Sequence, residues 1–440
     1  MVMSRKVLII STHFYPDRHI GARRPAKFAK YLPQFGWQPI ILTVPINGIR
    51  DGVDNSLSSD LPNDLKVYRI TGWGIYRAIN NGAPKEKIKL FLRMRSRIGG
   101  LLLPHYSVRW IFNSIKMGNK IIDSEKIDLI FSTVPDPEAY IVALFLSILT
   151  GKKFVCDFRD HTPWMFEHKH TLENLIMKLA QKIAQWKSHA VVSTSEVLKQ
   201  CLIKASWELN NKKYLTIYNG FDINDFNDVS QKPNNNKFVI TYVGSLGGGR
   251  NPKYFLDAFE NLLLNNPELQ EKIKFVFVGW VKREIAIERW VEERLSKGIL
   301  KKAVEHKGFL PHRKALSEMQ KADILLTFHS EEEIKRGLLE AKVFEYFYSG
   351  KPILALGATD CDLSNLLRDM KAGIVVPPNK PELISKAIYK LYQDYCNSSQ
   401  DGASRDDVMQ FERKQLTKRL AKLFDAVMIG KRNLVSIGWE

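Results

Sequence analysis

Two stretches of the chain combine residue types that could do chemistry. The first is Gly244-Ser-Leu-Gly-Gly-Gly-Arg-Asn-Pro252, between an apolar run at 238–243 and a helical pattern at 253–265. Three successive glycines cost conformational entropy unless a backbone has to come close to something. A helix start just beyond them offers free N–H groups and the positive end of a dipole to an anion. Arg250 adds a forked cation suited to phosphate oxygens. The pattern predicts phosphate binding, with a plain tight turn between strand and helix as the alternative. It is not a Walker loop, which needs G-K-[S/T], and it misses the G-x-G-x-x-G spacing of the dinucleotide fingerprint.

The second stretch is 337–354, G-L-L-E-A-K-V-F-E-Y-F-Y-S-G-K-P-I-L. It reads as an amphipathic helix beginning at Gly337, with Leu338, Leu339, Val343, Phe344 and Phe347 toward a core and Glu340, Lys342 and Glu345 away from it. Ser349-Gly350 stops the helix and an apolar strand restarts at 352–355. An acid near the start of such a helix, followed by a turn carrying a lysine, can hold a hydroxyl pair and a phosphate together. An ordinary helix–strand unit with a charged outer face is the alternative.

These stretches need a frame. Lys6-Val-Leu-Ile-Ile-Ser-Thr is a continuous β-branched run, a loop and basic helix follow, and 38–44 is a second strand. That is the opening of a doubly wound sheet. Further strands fall at 65–70, 128–133, 153–158, 190–194 and 215–218. After the linker-like Q-K-P-N-N-N-K at 231–237 the pattern begins afresh, with strands at 238–243, 275–278, 304–306, 324–328, 352–355 and 373–376. The fold class expected is therefore α/β, two Rossmann-like doubly wound domains at 1–230 and 231–408, with an amphipathic helix in 409–440. Polar residues at the strand ends, Ser11, Ser132, Asp157 to Asp160 and Ser193-Thr194, line a crevice in the first domain.

The chain has 440 residues and a formal net charge of +19. Such a charge favours anionic partners, yet no nucleic-acid recognition module is visible. The four cysteines form no C-x-x-C pair and have no histidine at metal-ligand spacing, so no metal site is expected. No apolar run has the length of a membrane span, so the expected location is cytoplasmic. The stretch 84–110 interleaves Lys85, Lys87, Lys89, Arg93, Arg95 and Arg97 with leucines, isoleucines and Phe91. It reads either as a solvated face packed on the sheet or as a site for docking on the anionic inner face of the cell membrane.

An ordered set of motifs resembles glycosyltransferase family 4: Tyr242-Val-Gly-Ser-Leu-Gly, Phe277-Val-Gly, His306-Lys-Gly and Lys342-Val-Phe-Glu-Tyr followed by Ser-Gly-Lys-Pro-Ile-Leu. Tyr218-Asn-Gly-Phe-Asp, Asp157-Phe-Arg-Asp and Gly21-Ala-Arg-Arg extend the resemblance over nearly the whole chain. It is similar to the bacterial surface-polysaccharide and lipopolysaccharide enzymes with a K-x-F-E-Y helix. The resemblance implies a GT-B fold whose last helix returns to the N-terminal domain. It implies retaining, metal-independent transfer of a sugar from a UDP- or GDP-linked donor to a saccharide or polyprenyl-linked acceptor, with no cofactor. Position by position, it implies that Glu345 binds the donor ribose and that Arg250 holds the diphosphate. Lys253 and Lys342 are further donor-side cations, and Gly244, Gly247 and Gly21 let the phosphates approach. Arg24, Arg159, Asp160 and His161 fall on the acceptor side. One departure stands out. The family's first motif glutamate, eight residues before the second, is here Gly337, with Glu333 and Glu340 out of register. The N-terminal histidine of the family is unmatched, with His105 and His161 as candidates. A GT-B nucleotide-sugar 2-epimerase and a non-catalytic or partner-dependent GT-B protein are the alternatives.

Overall fold

A computed structural model of the chain describes residues 4–49, 52–72, 108–134, 136–160, 172–207, 211–227, 237–247, 249–280, 285–335, 337–397, 402–431 and 433–434. The chain divides into two compact units, 1–218 with 413–440, and 219–412.

In the first unit seven parallel strands form one sheet: β1 (Arg5–Ile10), β2 (Trp37–Thr43), β3 (Lys66–Arg69), β4 (Leu129–Val134), β5 (Lys153–Phe158), β6 (Ala190–Ser193) and β7 (Tyr214–Thr216), in the order β3-β2-β1-β4-β5-β6-β7. The β-branched, almost continuously apolar central strands are buried on both faces, as a parallel sheet covered by helices requires. One face packs under α1 (Arg23–Tyr31) and the C-terminal helix; the other packs under α2 (Val108–Glu125), α3 (Pro137–Thr150), α4 (Leu172–Lys187) and α5 (Glu196–Ala205).

The second unit repeats the plan with six parallel strands: β8 (Phe238–Val243), β9 (Ile273–Val278), β10 (Val304–His306), β11 (Ile324–Phe328), β12 (Ile353–Leu356) and β13 (Gly373–Val376), ordered β10-β9-β8-β11-β12-β13. Its helices include α6 (Lys253–Asn265), α7 (Ile285–Ser296), α8 (His312–Lys321), α9 (Ala341–Ser349), α10 (Asp362–Asp369) and α11 (Pro381–Cys396). In each sheet the winding reverses once, at β1/β4 and at β8/β11. Ligand sites of open α/β sheets lie outside the strand carboxyl ends at such reversals.

The unit boundary falls at 218, not 230. Residues after Tyr218 belong to the second unit because Phe221 and Phe226 pack on Tyr348, with ring centroids 4.5 and 4.6 Å apart, and Phe221 N–H donates to Phe411 O (3.3 Å). The last helix, α12 (Arg413–Met428), belongs to the first unit. Among the described residues no helix is long and apolar enough to cross a membrane. The basic stretch 84–110 lies outside the described residues up to 107. Of the rest, Trp110 is fully buried in the core and is no interfacial residue.

Candidate active site

The reversal in the second unit gathers the charged residues. β8 runs into Gly244, whose φ of +147° favours glycine. A Cβ there would lie 2.9 Å from Lys342 Nζ. Gly279, after β9, approaches so closely that a Cβ would fall 1.9 Å from Gly244 O. Gly247 (φ +99°) and Arg250 exchange backbone hydrogen bonds, which turn the loop back on itself before α6. This turn places Arg250 between two acids. Its Nη2 lies 2.9 Å from Glu340 Oε1 and bonds Glu333 Oε1. Glu333 is held in turn by Ser330, through N–H (3.0 Å) and hydroxyl (3.1 Å).

Glu340 is the hub. Its Oε2 accepts from Thr327, at the end of β11 (2.8 Å), and pairs with Lys342 Nζ at 3.2 Å. Lys342 Nζ also lies 4.0 Å from the Tyr242 ring centre. Both cations are buried; Lys342 Nζ is held by the Glu340 ion pair, and Arg250 Nε lacks a hydrogen-bond acceptor among the described residues. Burial lowers the Lys342 ammonium to about 8, against the opposing pull of Glu340. Burial alone would raise Glu340, but Lys342 and Arg250 hold it below the usual carboxylate range. Burial likewise works against the Arg250 charge, and Glu340 and Glu333 more than offset it.

Helix α9 is the mount. Gly337 is left-handed (φ +64°), and Glu340 is the extended residue preceding the helix, so α9 begins at Ala341 rather than at Gly337. His329 Nε2 bonds Leu338 O (2.8 Å) and fixes the approach. Tyr346 Oη accepts from Val243 N–H (3.0 Å) and donates to Leu326 O (3.2 Å), which fastens α9 to both strands of the reversal. Glu340, Lys342 and Glu345 do not face solvent as their pattern suggested. All three are largely buried, because each finds an opposite partner. For Glu345 the partner is His312 Nε2, 2.8 Å from Oε1, at the first turn of α8.

Of the expected donor-side residues, Gly244, Gly247, Arg250 and Lys342 converge. Glu345 sits further along the same helix. Lys253 is exposed at the start of α6, its N–H held by Asn251 Oδ1 (2.9 Å). Glu333 and Glu340, out of register in the sequence motif, are the acids that meet Arg250. Three residues before His312 stands Phe309, stacked on Trp280 with ring centroids 5.7 Å apart; both rings are exposed. Trp280 O accepts from Leu246 N–H (2.9 Å), which ties the aromatic pair to the glycine loop.

The first unit has its own polar constellation at β1/β4. Gly21 N–H donates to His19 Nδ1 (3.1 Å), and Gly21 O accepts from Arg159 Nη1 (2.5 Å). Arg159 Nη2 is buried without an acceptor among the described residues, and burial lowers its pKa. Asp160 adjoins it at the end of β5. Arg24 is a fold residue: it is fully buried, with a two-point pair to Asp157 (2.8 Å each) and bonds to Ile217 O and Tyr218 O. His105 and His161 lie outside the described residues. Sequence reasoning missed His13. Its Nδ1 is 2.6 Å from Asp17 and its Nε2 3.4 Å from Asp136, and it stacks on His19 at 3.9 Å. Burial opposes the charged imidazole, but the two carboxylates raise its pKa to about 8. The H-x-x-x-D spacing at a strand's carboxyl end was the available signal.

The family described as glycosyl transferases group 1 matches residues 237–394. The second unit carries a glycosyltransferase group 1 domain. No curated protein sequence matches the chain. Among solved structures, it is similar to Anabaena HepE in complex with UDP and glucose, at 16% identity and a TM-score of 0.65, over 96% of this chain and 100% of that one. Sucrose-phosphate synthase from Thermosynechococcus elongatus is similar at 13% identity and a TM-score of 0.67, over 97% and 100%. The lipopolysaccharide outer core galactosyltransferase WaaB is similar at 12% identity and a TM-score of 0.58, over 97% and 99%. At these identities the likeness establishes the fold, which is GT-B.

Proposed function

We propose that this glycosyltransferase takes a nucleoside diphosphate sugar as donor and transfers the sugar, with retention and without a metal, to a hydroxyl of a saccharide or lipid-linked acceptor. The observation that carries the reading is the pair of buried cations, Lys342 and Arg250, that converge on the glycine loop, with Arg250 Nε lacking an acceptor among the described residues. Negative charge grows on the leaving diphosphate as the glycosidic bond to the donor breaks. Preorganised cations and N–H groups in a site poor in water stabilise that charge. Glu340 and Glu333 keep Arg250 charged and oriented until a diphosphate arrives. Glu345, aligned by His312, takes the ribose hydroxyls, and the Trp280–Phe309 pair offers a face to the base. UDP in complex with HepE supports a nucleoside diphosphate as the ligand class.

The test is calorimetry with UDP, GDP and pyrophosphate, followed by product analysis with a UDP- or GDP-linked sugar. Tight nucleotide binding with acceptor-dependent product is expected. Product formed from the donor alone would replace transfer by epimerisation. Normal nucleotide binding without product under any acceptor would leave a binding protein.

A further inference from the structure

The helix layer over one face of the first unit has an outer surface that packing among the described residues does not explain. α3 is P-E-A-Y-I-V-A-L-F-L-S-I-L-T, and its one charged residue, Glu138, is buried. Tyr140, Val142, Ala143 and Leu146 face the core. The opposite side is apolar too: Phe145, Ile148 and Leu149 are 48%, 61% and 62% exposed. On neighbouring α4, Leu175, Leu179 and Trp186 are exposed along one stripe, interleaved with Lys178, Lys182 and Lys187. On the other flank, α2 exposes Phe112 and Met117 beside Lys116 and Lys120. Single exposed leucines are ordinary, but large apolar side chains exposed together on three adjacent helices mark an interaction surface.

Charge selects the occupant. The described charged side chains on the outer faces of α3 and α4 are all lysines; the acids of α2, Asp123 and Glu125, lie at its far end. Lys187 Nζ sits 4.1 Å from the Trp186 ring centre, and Lys182 Nζ 5.6 Å from that of Trp207, which is also exposed. Protein–protein interfaces are depleted in lysine. Leucine, tryptophan and lysine together suit a bilayer interface instead, where rings and aliphatic stems enter the headgroup region and ammonium groups meet anionic lipid. We propose that the outer face of α2, α3 and α4 docks the protein on an anionic membrane surface.

The experiment is co-sedimentation of the full chain with phosphatidylcholine vesicles, with and without phosphatidylglycerol. The wild type should pellet with the anionic vesicles only, and less as salt rises. Lys178→Gln/Lys182→Gln should weaken binding by about fivefold for each lysine removed. Leu175→Gln/Leu179→Gln should also weaken it. Lys301→Gln/Lys302→Gln, an exposed pair in the second unit, should not. Unchanged thermal midpoints for these surface variants verify folding. Equal losses from both lysine pairs would reduce the effect to net charge and overturn the proposal, as would a wild type that stays in solution. Sedimentation velocity supplies the last arm: a dimer abolished by Leu175→Gln/Leu179→Gln, with vesicle binding unaltered, would make the face a contact between copies of the chain and overturn it too.

Discussion

At the scale of single residues, the site is built from opposed charges in a buried place, and two predictions follow from that. Glu345→Ala should weaken UDP or GDP binding by about tenfold or more, as loss of a charged hydrogen-bond acceptor does. His312→Ala should weaken nucleotide binding by a smaller factor while leaving pyrophosphate affinity alone, since it acts through Glu345; equal affinities by calorimetry would refute the ribose role. Lys342 gives the pH dependence. Its ammonium is lowered to about 8 by burial, and a bound diphosphate stabilises the protonated form. Binding above about 8 therefore takes up a proton, and affinity falls with rising pH by up to ~tenfold per unit. Lys342→Met should lower affinity and flatten that profile; a slope unchanged in the variant would exclude Lys342 from the diphosphate site. This layer was half legible in the sequence. The close backbone approach of the glycine loop was legible because glycine acts through local geometry. Glu333 and Glu340 were seen only as out of register, because a motif counts positions along the chain, whereas Arg250 meets one acid from each side of the left-handed turn at Gly337.

At the scale of elements, the site depends on how closely two loops approach at the β8/β11 reversal. Gly279, at φ +147°, leaves no room for a methyl group against the Gly244 carbonyl. Gly279→Ala must push the β9 loop away from the glycine loop or strain both, at a cost of about 2 kcal/mol or more. The expected outcome is a lower urea midpoint together with loss of nucleotide binding. Full binding with an unchanged midpoint would show that the loops can separate freely. The strands were legible because buried parallel strands are continuous apolar runs. The start of α9 was not: Leu338 and Leu339 continue the apolar pattern of 343–347 without being helical, so periodicity carried the helix back to Gly337. What ended it was backbone conformation, which hydrophobic pattern does not encode.

At the scale of the whole molecule, the chain repeats one architecture twice, and the first unit is completed by the chain's C-terminal part. The restart after the 231–237 linker was visible as a second strand–helix alternation. The boundary was not, since Phe221 and Phe226 choose their unit through aromatic contacts that only the folded chain makes. The same holds for α12, whose amphipathic pattern tells that it packs but not where. The structure answers that it covers the first sheet: Leu416, Leu420, Leu423 and Phe424 are fully buried with strands β1 and β4 and helix α1. Phe424 lies 5.2 Å from the Trp37 ring and 5.4 Å from Phe131, edge-on to both. Removing it empties the centre of that contact. Phe424→Ala should destabilise the first unit by ~3–5 kcal/mol, the range for a large aromatic lost from a core. Among the described residues these contacts all belong to the first unit, so nucleotide affinity in the second unit should persist. In urea, with intrinsic fluorescence following unfolding and calorimetry following UDP, the variant should unfold its first unit earlier and still bind nucleotide below that transition. Loss of nucleotide binding in parallel with the first unit would show instead that the two units fold as one.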